Sequence, residues 1–399
     1  MTASGLDGSA RDEVYRKLLD SGALAPEWVP AFEAVPRSAF LPELMWPFDM
    51  DTGTSFSVSR SGDLDLWHAY ADADVPVVTQ WDDGAHTGAD PGRLSTSSAS
   101  MPSVVARMLR DLDVQPGARV LEIGTGTGWN AALLSYRLGA ANVVTVEVDE
   151  AVADAARARL SAVGLHPGVV TGDGLLGYPD GAPYDRIIVT AGVRDLPYAW
   201  IRQTRPGGLI VAPWGTHYSN VDCVVRLVVA EDGRSASGRL TGAVEFMKVR
   251  SQRHRVDQTA YLPDGFPGDA VTTVTELTAA DLGLDDRLRH PFAAVAGLLV
   301  SECTLLTDRR GTAVSAWLYG LTDRSWAAAV LVDGQVGSTV YQSGPRRLWD
   351  ELTRAHQWWV AAGEPDVTRF GLTVTAGRTN AWFDNPRSPL LLQDVENAG

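Results

Sequence analysis

Cysteine is nearly absent. The chain has two among 399 residues, Cys223 and Cys303, each set in an apolar, β-rich stretch. Their spacing offers neither a disulfide framework nor a zinc site, so a reducing compartment is expected. Positive charge is also short, with 34 Lys and Arg against 49 Asp and Glu, a net charge of -15. Such a balance argues against a nucleic-acid partner, which normally meets a basic surface. No stretch approaches the roughly 18 uncharged apolar residues of a membrane span, so no membrane partner is expected. The opening MTASGLDGSARDEVY lacks the apolar core of a secretory signal, and a cytoplasmic protein is expected. His68, His86, His217 and His254 share no ligand spacing with cysteines or acids, and no metal is expected.

What is present is ample core material, 45% hydrophobic residues in a chain long enough for two or three domains. Residues 1–94 read as an N-terminal region. It has short helices near Arg11–Ser21 and Pro26–Ala34, then a Gly-, Ser-, Thr- and Asp-rich segment from 49 to 98 that looks like a long, partly structured loop. Residues 95–250 alternate short apolar strands with helices, which predicts an α/β, doubly wound parallel sheet with helices on both faces. Helices are expected at 101–112, 129–138 and 150–163, and strands at 119–123, 143–147, 168–171, 187–190 and 209–213. A hairpin turning at Asp232-Gly233 follows. After the polar SQRHRVDQ, residues 251–399 read as an additional C-terminal α+β domain with strands AVSAWLYGL, AAAVLVD and FGLTVTA and a helix at 346–362.

The sharpest motif is VLEIGTGTGW (120–129), a strand entering a glycine-rich turn and then a helix. Gly124, Gly126 and Gly128 permit a tight turn and close backbone approach, with Thr125 between them. A dinucleotide fold normally shows G-x-G-x-x-G. Here the spacing is G-x-G-x-G behind an acid, Glu122, which suits a cationic ligand better than a phosphate. Glu147 ends the next strand, where it would accept ribose hydroxyls, with Val148 beside it. Asp173-Gly174 ends the third strand, with Asp173 placed for an adenine amino group. The pattern fits the cationic methionine end, ribose and base of S-adenosyl-L-methionine (SAM).

These residues resemble the protein-L-isoaspartate O-methyltransferase family. AFEAVPRSAFLPE (31–43), VLEIGTGTGWNAALLS (120–135), GDGLLGYPDGAPYDRIIVTAGV (172–193) and RPGGLIVAPWG (205–215) carry the likeness, which covers roughly 11–48 and 95–250. It implies the class I SAM-dependent methyltransferase fold, with S-adenosyl-L-homocysteine as product and no metal. SASMPS (98–103) resembles the family's Thr-Ile-Ser-Gln-Pro-Tyr. By that match Ser100 is the catalytic serine and Ser98, with Ala99, lies against SAM. Met101 and Ser103 replace Gln and Tyr or His, which implies a different substrate pocket. That change, an insert at about 49–80 and a C-terminal domain with no expected counterpart in repair enzymes resemble an actinobacterial branch. Its members are encoded beside ribosomal peptide natural products of lanthipeptide, lasso and graspetide types. The implied partner is a peptide or protein bearing Asp or isoaspartate. In that branch a normal aspartate, methylated in a constrained peptide, closes to aspartimide and reopens to isoaspartate.

A carboxylate is already anionic at neutral pH (an unperturbed Asp titrates near ~3.9), so its methylation needs alignment and dehydration rather than a base. A neutral hydroxyl such as Ser100 can orient it without quenching its charge, and Ser100 is also expected to cap the following helix. Asp83, as a second catalytic candidate, and Gln80 are expected to contact peptide backbone or target residue, although Asp-Asp-Gly is also a good turn. Trp358-Trp359 and Trp382-Phe383 read as core rather than a peptide grip. Two other functions stay open: housekeeping repair of isoaspartyl residues, and a non-catalytic SAM-binding scaffold. The strand-four ending VTAGV lacks the Asn/Asp-Pro-Pro segment expected of an amino-group methyltransferase.

Overall fold

The computed structural model describes residues 4–390 other than 51, 264, 287 and 389. Helix α1 (Ser4–Asp20) starts earlier than the apolar spacing indicated. A 3-10 turn at Pro26–Trp28 leads into α2 (Val29–Ala34).

The segment expected to be a long loop is instead a small sheet with its own core. It comprises β1 (Leu44–Asp49), β2 (Thr54–Ser55), β3 (Val58–Ser59), helix α3 (Leu64–Asp72), β4 (Val77–Trp81) and β5 (Ser95–Ala99). The strand order is β2-β1-β4-β5, with β3 also on β1. Asp63 nucleates α3 by accepting the Leu66 N–H at 2.9 Å. Trp67, 1% exposed, packs among Met45, Val58, Val77 and Ala99. Few apolar residues are needed to organise polar chain when one indole fills the centre.

The α/β alternation then follows as the sequence indicated. Helix α4 (Pro102–Leu112) buries Val105, Met108, Leu109 and Leu112 on one stripe and ends at Asp113, whose φ of 49° closes the last turn. Strand β6 (Val120–Ile123) is buried throughout. After it come α5 (Trp129–Leu138), β7 (Val143–Glu147), α6 (Glu150–Ala162), β8 (Gly168–Thr171), β9 (Tyr184–Val189), α7 (Tyr198–Gln203), β10 (Thr204–Trp214), β11 (Val221–Val229) and β12 (Ser235–Glu245). The pairs β6–β7, β6–β9, β7–β8 and β9–β10 are parallel, as strands joined through helical crossovers require.

A second five-stranded sheet, all antiparallel, runs β13-β17-β16-β15-β14. Its strands are β13 (Val271–Thr275), β14 (Cys303–Arg310), β15 (Ala313–Gly320), β16 (Trp326–Val332) and β17 (Ser338–Ser343), accompanied by α8 (Pro291–Leu299) and α9 (Leu348–Ala361). The last hairpin, β18 (Phe370–Thr375) and β19 (Arg378–Phe383), belongs elsewhere, because β18 pairs antiparallel with β12. The large sheet therefore has nine strands in the order β19-β18-β12-β11-β10-β9-β6-β7-β8. FGLTVTA, expected in a separate domain, is an antiparallel extension of that sheet. Two compact units result: residues 1–191, 197–211 and 228–234 form one, and 192–196, 212–227 and 235 onward the other. The second unit thus begins well before residue 251. Among the described residues, no helix is long and apolar enough to cross a membrane.

Candidate functional site

Strand order reverses between β6 and β9, and their carboxyl ends open the crevice where ligands of such sheets bind. The glycine turn leaves β6 at that place. Gly124, Gly126 and Gly128 have φ of 94°, 52° and 92°, values that β-carbon-bearing residues rarely adopt. Space is tight at Gly124, and at Gly126 a neighbouring backbone lies within contact distance. A Cβ on Gly124 would lie 2.9 Å from Thr190 Oγ1, and one on Gly126 3.4 Å from the Ser98 carbonyl oxygen. Gly126 and Ser98 therefore pass each other backbone to backbone. Thr190, missed by the sequence reading, donates its hydroxyl to the Gly124 carbonyl and ties the β9 end to the turn.

The acids behave differently from one another. Glu147 is half-buried and is held by three backbone N–H groups: Gly126 at 2.9 Å on Oε2, and Val148 and Asp149 at 3.0 and 3.2 Å on Oε1. A carboxylate has about four acceptor positions, so capacity remains for a hydroxyl. Val148 beside it is 50% exposed, an apolar surface suited to a base or ribose face. Asp173 is exposed, accepts the Leu175 N–H at 2.9 Å and precedes Gly174. Glu122, by contrast, is completely buried beneath the turn. Burial pushes its carboxyl up to about 7, against the Thr145 hydroxyl and the Asn130 amide, and nearby Glu147 adds to the rise. Oε1 accepts from Asn130 Nδ2 at 2.7 Å, while the buried Oε2 has no hydrogen-bond partner of good geometry among the described residues. Thr125 turns its hydroxyl to Thr145, 2.7 Å away. A buried acidic oxygen under a glycine-rich turn, a fixed carboxylate and an exposed one beyond it suit a ligand with a cationic end, a sugar diol and a base. The residues present fit SAM.

The facing wall is Ser98–Ser103. Ala99 and Pro102 are buried, and Ser98, Ser100, Met101 and Ser103 are half-buried. Ser100 does not cap α4. The capping position is Met101, without a side-chain cap, and the Ser103 N–H is taken by Asp74 Oδ1 at 2.8 Å. A carboxylate from the turn before β4 replaces the local cap, and Ser100 precedes the helix.

Gln80 is bonded within the protein. Its Oε1 accepts from Thr96 Oγ1 at 2.8 Å and its Nε2 donates to Asp149 Oδ2 at 3.1 Å. Asp149 also caps α6 through Val152 N at 3.1 Å. Gln80 thus links the small sheet to the strand end that carries Glu147. Asp83 lies exposed in a tight loop where it and Asp82 have φ of 54° and 53°, and its N–H donates to Thr96 Oγ1 at 3.1 Å. The turn reading accounts for its backbone. Asp82, passed over in the sequence, anchors this loop by accepting Arg93 N and Leu94 N at 3.0 and 2.9 Å. Trp359 and Trp382 are core, 4% and 2% exposed. Among the described residues, no group of three His, Cys, Asp or Glu could hold a metal ion.

Residues 68–254 match the family model described as protein-L-isoaspartate(D-aspartate) O-methyltransferase. A protein-L-isoaspartate O-methyltransferase from Xanthobacter autotrophicus is 38% identical over 184 residues, 46% of this chain and 72% of that one. One from Hyperthermus butylicus is 33% identical over 244 residues, 58% of this chain and 85% of that one. A solved structure titled protein-L-isoaspartate O-methyltransferase superposes with a TM-score of 0.52 at 21% identity, covering 94% of this chain and all of its own. The sheet, turn and helices are those of the class I SAM-dependent methyltransferase fold. That coverage extends well past residue 251, so the expectation that the C-terminal region lacks a counterpart among proteins of this title does not hold.

Proposed function

Because the chain belongs to the protein-L-isoaspartate(D-aspartate) O-methyltransferase family, we propose that it methylates an aspartyl-type carboxylate in a peptide or protein. Its cofactor is SAM, which supplies an electrophilic methyl on a sulfonium sulfur. The supporting observation is the close pass of Ser98 over Gly126, whose N–H also holds Glu147. One backbone crossing brings the cofactor turn against the segment that carries Ser100.

In this reading Glu147 and Val148 hold the ribose, Asp173 and Gly174 the base, and Glu122 faces the cationic end from below. Ser100 donates a hydrogen bond to one oxygen of the target carboxylate and aims the other at the methyl carbon. No residue has to remove a proton, because the nucleophile is an anion from the start. The walls exclude water from it, and the hydroxyl orients it without the charge of a Lys or Arg clamp.

The finer reading is that the target is a normal aspartate in a constrained, ribosomally made peptide. Met101 and Ser103 support it, since they alter the segment next to Ser100, as does the ordered small sheet with its Asp82-anchored loop. The ester would then lose methanol as the following backbone nitrogen attacks it, giving a succinimide. Repair of damaged isoaspartyl residues is the second reading, favoured by the names of the relatives. The two separate in one assay, in which full-length protein and SAM are offered a macrocyclic aspartyl peptide and a linear isoaspartyl peptide. Mass spectrometry showing one added methyl, then loss of methanol, on the macrocycle alone supports the finer reading. Turnover of the linear isoaspartyl peptide with the macrocycle untouched overturns it in favour of repair.

A further inference from the structure

Arg37 is a buried cation, 2% exposed, whose guanidinium donates to backbone carbonyls while the charges of Asp74 and Asp72 favour its cationic form, in a segment the sequence reading treated only as family likeness. Its Nη1 donates to the Ala73 and Ala71 carbonyls at 3.1 and 3.5 Å, and its Nη2 to Val75 and Ala99 at 2.9 and 2.8 Å. Three of these acceptors lie at the end of α3 and in the chain leading to β4. The fourth is the carbonyl of the Ala99–Ser100 peptide. A peptide unit is planar, so fixing the Ala99 carbonyl fixes the plane from which Ser100 departs.

The same guanidinium also faces the cofactor side. Its guanidinium carbon lies 5.8 Å from the ring centroid of Trp129, the first residue of α5 after the glycine turn. The indole N–H of Trp129 donates to the Val35 carbonyl, two residues before Arg37, at 3.1 Å. One side chain therefore touches both the helix that receives the glycine turn and the peptide that delivers Ser100. A fully buried guanidinium held mainly by carbonyls is a costly way to gain stability alone.

We infer that Arg37 is a positioning residue that sets the spacing between the cofactor turn and Ser100. The inference rests on the reading of Ser100 as the group that orients the carboxylate. Arg37 touches neither substrate nor methyl donor. It acts by holding the Ala99–Ser100 peptide, and misplacement by about 1 Å at such a site costs about 10²-fold in rate.

The test compares wild type, Arg37→Met and Arg37→Lys in the full chain. Thermal melting checks folding, calorimetry with SAM reads affinity, steady-state kinetics uses whichever peptide wild type methylates, and amide exchange is followed over 95–103. Arg37→Met should keep SAM affinity and KM within about threefold, lose about 10²-fold in kcat and exchange faster over 95–103. Arg37→Lys, which retains a donor, should recover at least about tenfold of the loss. A folded Arg37→Met with wild-type kcat overturns the inference, as does an Arg37→Lys no better than Arg37→Met. Should Arg37→Met fail to fold, Arg37→Gln takes its place, because its single amide donor can satisfy only part of the carbonyl cluster that the guanidinium holds. A fall in kcat of about tenfold with SAM affinity kept then supports the inference, and unchanged kcat overturns it. Wild type that methylates no aspartyl or isoaspartyl peptide overturns the function instead, and the exchange rates still report on Arg37.

Discussion

Residues 120–129 build one wall of the site as an uninterrupted strand, turn and helix, and the Glu147 side chain is fixed by N–H groups from that turn and from its own strand end. The opposite wall, 98–103, has no such self-sufficiency. Its shape comes from Arg37 on Ala99, Asp74 on Ser103, and the small sheet that pairs β5 with β4. Local geometry dictates the wall around the glycine turn, whereas distant side chains dictate the wall we propose for the substrate. A family can therefore keep the first nearly constant and change its substrate by altering the second. Met101 and Ser103, which we propose to shape the substrate pocket, fall on that second wall.

If the walls divide their work this way, substitutions on them should separate rate from cofactor affinity. The largest expected effect is on the substrate wall. Ser100→Ala should lower kcat by about 10²-fold or more while leaving SAM affinity within a few-fold by calorimetry. Because Met101 occupies the capping position, the melting temperature should hardly move. A folded, fully active Ser100→Ala would remove the serine from the mechanism. On the cofactor wall, Glu147→Ala should weaken SAM binding by about 1–3 kcal/mol, through the lost hydroxyl acceptor and the N–H groups left unpaired. Its kcat at saturating SAM should fall far less than that of Ser100→Ala. Equal SAM affinity in wild type and Glu147→Ala would break the assignment.

A smaller effect concerns Glu122. Its carboxyl rises from an ordinary value of 4.5 to about 7 on folding, because burial disfavours the charge. Between those pH values the folded protein holds a proton that the unfolded chain has released. Stability of the SAM-free protein should therefore fall as pH rises through that window and level off above it. Glu122→Gln removes the titration, so the difference in melting temperature between variant and wild type should grow in favour of Gln from about pH 4.5 to about 7. A constant difference across that range would mean that Glu122 is not buried in this way.

The cofactor wall was legible in the sequence because its residues are contiguous and its strands and helices carry clear periodicity. The helices at 129–138 and 150–162 and the strands at 143–147 and 168–171 emerged nearly to the residue. The small sheet was not legible. Its strands are as short as two residues, its composition is that of a loop, and one tryptophan organises its core. Nor could local pattern reveal Arg37 or Asp74, whose partners lie 62 and 29 residues away. FGLTVTA was recognised as a strand, but its place in the large sheet was not, since only long-range pairing with β12 reveals it. Ser100 preceding a helix suggested a cap, and only the position of the Asp74 carboxylate shows that the role is filled from elsewhere.

The most direct test of the central claim, transfer of a methyl group to a carboxylate oxygen, is the alkali lability of the product. Full-length protein is incubated with SAM bearing a labelled methyl group and a panel of aspartyl and isoaspartyl peptides, and the labelled peptide is held at mildly alkaline pH. An ester hydrolyses or closes to a succinimide there, so the label should leave quantitatively as methanol, with none lost from a parallel N-methylated standard. Label that stays on the peptide through the same treatment would place the methyl on nitrogen or carbon and contradict the account.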